Sequence, residues 1–325
     1  MRSLRPQTRE PPDGPSPLAR YLDCLASSRR DLVTLYTIGS SVEGRPIKVV
    51  KLSTGGGGKK AIFIGKLLLC LQSPDSLCPD GGIHAREWIS PSTVSGILRN
   101  LVDNTSRFSS ILRKLDIYIL PLLNPDGYEY SRTTDRLWRK NRSHPERGKC
   151  AGVDLNRNFS YRWGGRGSSR KTCSEEYRGE RALSEPESAA LARFMSKRKN
   201  TIDMYLTVHS YGQMILYPWG YDAKAVARDK GELHSMAQVG ARAMSAKYKI
   251  GHSAAVTYET SGSSDDWAKA VAGVKYSYTV ELPDTGKYHF ILPESKIPGT
   301  VRDAVRAFKA MAEELIRRTA VRSSS

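Results

Sequence analysis

Apolar and β-branched residues gather in six short runs, which predict β-strands. The runs span 46–53, 61–64, 115–123, 204–208, 214–217 and 276–282. Helical patterns lie between them at 91–102, 184–197, 231–246 and 298–318, and Ser184 with Glu187 forms a capping box at the start of the second. Strands that alternate with helices predict an α/β fold, in which a mixed, mostly parallel twisted sheet carries helices on both faces. Ligands bind such sheets beyond the carboxyl ends of the strands.

Charge and hydropathy exclude several classes of protein. The 325 residues include 51 Lys or Arg and 33 Asp or Glu, a net charge of +18. The most apolar run, 61–71, contains Lys66 and is too short to span a membrane. No zinc-finger spacing, RNP aromatic pattern or KH loop accompanies the basic residues, so we expect no nucleic-acid partner. A solvated face accounts for most of these charges, and contact with an anionic glycan is the alternative.

A metal-binding pattern falls where the predicted sheet ends. His84 and Glu87 lie three residues apart before a predicted helix, so both can face one point. Imidazole and carboxylate are ligands that suit zinc, although for this spacing alone a solvated loop pair is the better explanation. His209 follows the predicted strand at 204–208 and completes a set that leaves the fourth zinc position open. The remaining histidines have no comparable position at a strand end: His144, His234, His252 and His289.

Seven sequence blocks, in order, resemble those of the zinc metallocarboxypeptidases of the pancreatic A/B type. They are HAREW at 84–88, NPDGY at 124–128, LWRKNRS at 137–143, GVDLNRNF at 152–159, HSYGQMILYPWGY at 209–221, TYETSGSSDDW at 257–267 and YTVELPDTGKY at 278–288. The resemblance runs from about Tyr36 to the C-terminal helix. It implies a single-domain peptide hydrolase that removes C-terminal residues one at a time. It also implies a monomeric protein, secreted to the extracellular space.

The resemblance also implies a metal centre with one zinc ion. His84, Glu87 and His209 match the zinc ligands, and Asp154 matches the carboxylate that orients the first histidine. Glu281 matches the general base that acts on the water activated by zinc.

Further residues match positions that contact the substrate. Arg139 corresponds to the cation that stabilises the oxyanion as charge develops. The other matching positions, which hold the C-terminal carboxylate or cover the substrate, are Arg86, Asn156, Arg157, Tyr211 and Tyr258.

The resemblance places Asp265 at the floor of the specificity pocket. An acidic residue there is typical of B-type enzymes, so we expect a preference for C-terminal Lys or Arg. Gly220 is the A-type residue at its position, and a slip of one residue would exchange Asp265 with Asp266. The alternatives are an A-type preference for apolar or aromatic C-termini, and an inactive anion-binding protein with the same fold.

The chain departs from the family in two segments. Relatives carry a signal peptide and a prosegment, which residues 1–16 do not match, so we expect an unstructured tail at 1–16. Residues 321–325 form a tail at the other end. The catalytic domain then spans 17–320. Residues 65–79 interrupt it as an insertion, either a retained intron or a loop at the mouth of the zinc site. Within the domain, the resemblance implies a disulfide between Cys150 and Cys173.

Overall fold

A computed structural model describes residues 16–56, 59–65, 83–144 and 150–323. Two predicted segments lie largely outside these residues. They are residues 1–15 of the tail predicted at 1–16, and residues 66–79 of the insertion predicted at 65–79. Ser16 is the first described residue, and its hydroxyl accepts a hydrogen bond from the amide of Ala19 at the start of a helix.

The described strands form one eight-stranded sheet. In chain order they are Val33–Ser40 (β1), Pro46–Leu52 (β2), Lys60–Gly65 (β3), Leu115–Leu120 (β4), Ile202–Ser210 (β5), Met214–Tyr217 (β6), Lys249–His252 (β7) and Tyr276–Leu282 (β8). The spatial order is β1-β2-β4-β3-β5-β8-β6-β7. Four of the seven pairings are parallel, and they include the central run β4-β3-β5-β8. The predicted mixed, mostly parallel sheet is confirmed, and six of its strands match predicted runs.

Helices cover both faces of the sheet. They are Pro17–Ser28 (α1), Ile89–Asp103 (α2), Ser109–Lys114 (α3), Pro125–Thr133 (α4), Pro186–Ser196 (α5), Lys230–Ala243 (α6), Ser253–Val256 (α7), Ser264–Ala270 (α8) and Ile297–Ser323 (α9). One core cluster joins the sheet to α1, α2, α6 and α9, and a second joins its other face to α5 and α8. The predicted α/β fold with helices on both faces is therefore confirmed.

The amphipathic helix α9 packs its apolar stripe against the sheet. Phe308, Met311 and Leu315 are buried at three- and four-residue steps, as the periodicity predicts. A Cβ on Gly96 of α2 would lie 2.1 Å from Val301, so the glycine allows the two helices to approach closely. The helix continues to Ser323, so it includes the first three residues of the tail expected at 321–325. None of the described helices combines the length and hydropathy needed to cross a bilayer.

A buried carboxyl in the first turn of α5 makes stability depend on pH. Glu187 accepts hydrogen bonds from the amide of Val42 and the side chain of Asn141. Burial, aided by the charges of Asp126 and Glu185, raises its pKa from 4.5 to about 8. Because folding raises this pKa, the native state binds the proton more tightly. The protonated carboxyl of Glu187 contributes fully to stability below pH 4.5, and this contribution is lost as the pH rises through 8.

We expect Glu187→Gln to reduce the loss of stability between pH 5 and 8. The amide mimics the protonated acid and does not ionise. The unmodified protein should lose a few kcal/mol of unfolding free energy over this range, at about 1.4 kcal/mol per pKa unit, and the variant should lose less. Urea unfolding of both proteins at each pH, in excess zinc, measures the difference. Glu180→Gln is the matched control because Glu180 is exposed. Equal pH slopes in all three proteins would contradict the assignment.

Candidate active site

Two neighbouring parallel strands bring candidate residues to one edge of the sheet. His209 is the penultimate residue of β5, and Glu281 of β8 is its partner in the strand register. His84 and Glu87 lie in the turn that leads into α2, and a donor atom of each lies within 4.8 Å of one of His209. The predicted position beyond the carboxyl ends of the strands therefore holds all four side chains.

The two histidines and one carboxylate form a group that can hold a metal. One donor atom from each of His84, Glu87 and His209 lies within 4.8 Å of the other two, and all three residues are buried. The Nδ1 atoms of His84 and His209 lie 2.6 Å and 3.2 Å from the oxygens of Glu87. Their Nε2 atoms contact Asp154 and Thr207, both at 3.1 Å. Two oriented imidazoles facing one carboxylate fit a zinc ion, because outer hydrogen bonds of this kind fix the ring and its tautomer.

Asp154 connects this group to the candidate substrate residues. Its Oδ1 contacts His84 and accepts a hydrogen bond from the amide of Asn156 at 2.9 Å. Its Oδ2 accepts hydrogen bonds from Nε and Nη2 of Arg139, at 3.1 Å and 2.8 Å. Burial opposes ionisation of this carboxyl, but the charges of Arg139, His84 and Arg157 outweigh it and hold the pKa of Asp154 well below its usual range. The carboxylate is therefore a fixed negative charge.

Asn124 holds the backbone around the metal group, a role that the sequence analysis did not assign. Its side chain accepts from the amide of Gly127 and donates to the carbonyls of Ile83 and Lys140. The amide of Ala85 also donates to the carbonyl of Arg139. These bonds fix the turn that carries His84 against the segment that carries Arg139.

A cleft of about 320 Å³ opens over the metal group. All the predicted metal, catalytic and substrate residues line it: His84, Arg86, Glu87, Arg139, Asn156, Arg157, His209, Tyr211, Tyr258, Asp265 and Glu281. Asp154 lies beneath the cleft and is fully buried. The lining also contains residues that the sequence analysis missed, among them Thr260, Thr279 and Phe290.

Asn156 and Arg157 are held by bonds from neighbouring loops. The amide of Ser264 donates to Asn156 Oδ1, and Arg157 donates through Nε to Gly167 O and through Nη1 to Asn156 O. Within the described part of the chain, Arg157 Nη2 and Asn156 Nδ2 keep hydrogen-bonding capacity for a ligand. Tyr258 stands at the edge of this region with 61% of its surface exposed.

Asp265 and Asp266 are adjacent acids in α8 with different surroundings. Asp266 accepts from the amides of Gly220 and Tyr221 at 2.9–3.1 Å and does not line the cleft. Asp265 is only 3% exposed, but it lines the cleft. Burial raises the pKa of both, and the charge of Asp265 adds to the effect on Asp266. Asp265 is therefore the acid that a ligand side chain in the cleft would meet.

A disulfide closes the segment between Cys150 and Cys173, as predicted. The segment carries Asp154, Asn156 and Arg157, so the crosslink restrains the chain that forms one wall of the cleft.

The sequence and the fold match those of known proteins. The family profile described as zinc carboxypeptidase matches residues 18–307. Carboxypeptidase B of Astacus astacus is 41% identical over 299 residues, which are 90% of this chain and 93% of that protein. Carboxypeptidase O of Bos taurus is 41% identical over 293 residues, 88% of this chain and 74% of that one. Among solved structures, bovine thrombin-activatable fibrinolysis inhibitor in complex with tick carboxypeptidase inhibitor matches with a TM-score of 0.81 and 36% sequence identity. The match covers 92% of this chain and 95% of that one.

We expect Asp154→Asn to weaken zinc binding by about 10–100-fold, because His84 loses the charged partner of its Nε2. Competition with a coloured chelator measures the affinity, and circular dichroism shows whether the variant is folded. Asp203→Asn, which removes only a surface pair with Lys60, should bind zinc like the unmodified protein. Unchanged affinity in a folded Asp154→Asn protein would contradict the role of this carboxylate.

Proposed function

Because the chain belongs to the zinc carboxypeptidase family, and is therefore a metallocarboxypeptidase, we propose that it removes C-terminal Lys or Arg from peptides and proteins. The observation that supports this preference is the buried carboxyl of Asp265 in the cleft. Among the described residues, no Lys or Arg nitrogen lies within 4.0 Å of it. A cationic side chain of the substrate would supply the missing counter-charge. An apolar side chain would leave the charge buried and unpaired, at a cost of about 2–5 kcal/mol.

Hydroxyl groups in the cleft support the same preference. The lining includes several hydroxyl-bearing residues, among them Ser253, Thr257, Thr260, Ser263 and Thr279. Oxygen atoms of this kind accept hydrogen bonds from ammonium and guanidinium groups, whereas an apolar side chain would separate them from water without replacing its hydrogen bonds.

The glycine at position 220 is compatible with this pocket. A Cβ on Gly220 would lie 2.5 Å from Oγ1 of Thr260, and the Gly220 amide already donates to Asp266. Packing against Thr260 therefore favours glycine at this position, and its presence does not argue for an apolar specificity.

Several of the remaining candidate residues have separate tasks in the proposed hydrolysis. Asn156 and Arg157 hold the C-terminal carboxylate, which makes the enzyme an exopeptidase. Arg139, fixed by Asp154, donates to the carbonyl oxygen as negative charge develops there. Glu281 accepts a proton at its carboxylate and transfers it to the departing amine. When bound by His84, Glu87 and His209, zinc would supply Lewis-acid chemistry and lower the pKa of water.

The disulfide supports extracellular localisation, because such bonds persist in oxidising compartments. We also propose that 17–320 form one catalytic domain. The monomeric state and the contact with anionic glycans stay predictions.

We expect Asp265→Ile to invert the substrate preference. The unmodified enzyme should release Arg from a peptide faster than it releases Phe from the matched peptide. In the variant, the ratio of kcat/KM for the Arg peptide over the Phe peptide should fall by at least about 30-fold, or ~2 kcal/mol. Mass spectrometry of the products, with and without a zinc chelator, measures both effects. Asp203→Asn serves as the control on the surface. Preferential release of Phe by the unmodified enzyme would support the A-type alternative, and release from neither peptide would support the inactive one.

The preference should also depend on pH. Burial raises the pKa of Asp265 above 3.8, and below that raised pKa the protonated, neutral acid no longer attracts a cation. The ratio of kcat/KM for Arg over Phe should therefore fall as the pH falls, while the effects of Glu281 and the metal cancel in the ratio. In Asp265→Asn the ratio should be low and flat. A ratio that rises on acidification, or an equal slope in the variant, would refute the assignment.

A further inference from the structure

His289 occupies a strained position at the rim of the cleft. It is exposed, and its backbone adopts the left-handed conformation with φ 53°. Side chains other than glycine rarely adopt this conformation, and His is among the few residues enriched there. Its Nδ1 lies 2.5 Å from the hydroxyl of Tyr211, 78 residues away in the chain. The contact between His289 and Tyr211 therefore joins two loops, and it persists despite the strain.

Tyr211 is held between two aromatic neighbours. Its ring centroid is 5.2 Å from that of His289 and 5.0 Å from that of Phe290, both in edge-to-face geometry. The guanidinium of Arg86 lies 4.5 Å from the centre of the Phe290 ring, and Arg136 donates to the carbonyls of both Phe290 and Arg86. Tyr211, Phe290 and Arg86 line the cleft, but His289 does not. His289 therefore acts on the cleft through Tyr211.

This rim faces the part of the substrate that precedes the scissile bond. In the proposed function, which this inference extends, the last side chain lies against Asp265 and the C-terminal carboxylate against Asn156 and Arg157. The rest of the peptide must then leave the cleft past other lining residues, and Tyr211, Phe290 and Arg86 form a continuous group there.

We infer that His289 is a positioning residue that orders Tyr211 for peptides extending beyond the scissile dipeptide. Whichever group donates, the hydrogen bond between Nδ1 and the hydroxyl fixes one orientation of the tyrosine ring. A side chain that is ordered before binding does not lose that freedom when substrate binds. Longer peptides, which reach Tyr211, benefit from this order, and the shortest substrates do not.

His289→Gly tests the inference because glycine suits the left-handed backbone and removes only the side chain. We compare N-acetyl-Ala-Arg with N-acetyl-Ala-Ala-Ala-Arg, so that the scissile bond is constant. The variant should raise KM for the longer peptide about 3–10-fold, with kcat and the KM of the shorter peptide within about 2-fold. Asparagine also tolerates the left-handed backbone, but its side chain is too short to reach the hydroxyl of Tyr211. His289→Asn should therefore change KM in the same way as His289→Gly.

Tyr211→Phe and the double variant show whether the two residues act as a pair. Tyr211→Phe should raise KM for the longer peptide as His289→Gly does, and His289→Gly should add little to that increase. The melting temperature of His289→Gly should not fall, which separates the effect from unfolding. Equal KM increases for both peptides, a change in kcat alone, or full additivity would overturn the inference. If the unmodified enzyme releases no Arg, the Lys/Arg proposal fails, and the same length comparison is made with peptides ending in the residue that it releases.

Discussion

The active site depends on the burial of one carboxylate, that of Asp154. Removing a charge from water costs several kcal/mol, and only a complete set of partners offsets that cost. His84, Arg139 and the amide of Asn156 provide this set. One carboxylate therefore fixes His84, Arg139 and the loop of Asn156 relative to each other, and these are residues proposed to bind the metal, the carbonyl oxygen and the C-terminal carboxylate. A shift in any of them would leave part of a buried charge without partners, so the geometry of the three is coupled.

The central strands could be predicted because both of their faces are buried. Every residue of β4 is buried, and β5 is nearly so, and continuous apolar runs of this kind are characteristic of covered parallel strands. The edge strands β1 and β7 were missed because their pattern is different. In β1 only Val33 is buried, and β7 has only four residues. These segments are strands because each pairs with a neighbouring strand of the sheet. No local sequence pattern encodes that pairing.

Contacts that are distant in sequence also explain the errors in local prediction. The capping box predicted at Ser184 is wrong, since α5 begins at Pro186 after Glu185. The hydroxyl of Ser184 instead contacts the side chain of Asn158, 26 residues away, and donates to Glu185. The contact of His289 could not be predicted for a related reason. His289 does not directly follow a strand, and its partner, Tyr211, lies in a loop that is distant in sequence. The candidate metal ligands could be identified only through the resemblance, because the spacing of His84 and Glu87 alone is weak evidence.

The two adjacent acids of α8 show how one residue of register decides which acid faces the cleft. Successive side chains on a helix point about 100° apart, so Asp265 and Asp266 cannot face the same partner. Asp266 is engaged by the amides of Gly220 and Tyr221, and removing it would leave buried donors without an acceptor. That engagement fixes the loop around Gly220, which brings Thr260 against the pocket. Asp265 is left as the charge that a substrate can reach. The acid that binds the backbone thus positions the acid proposed to bind the substrate, and exchanging their roles would disrupt the pocket wall as well as its charge.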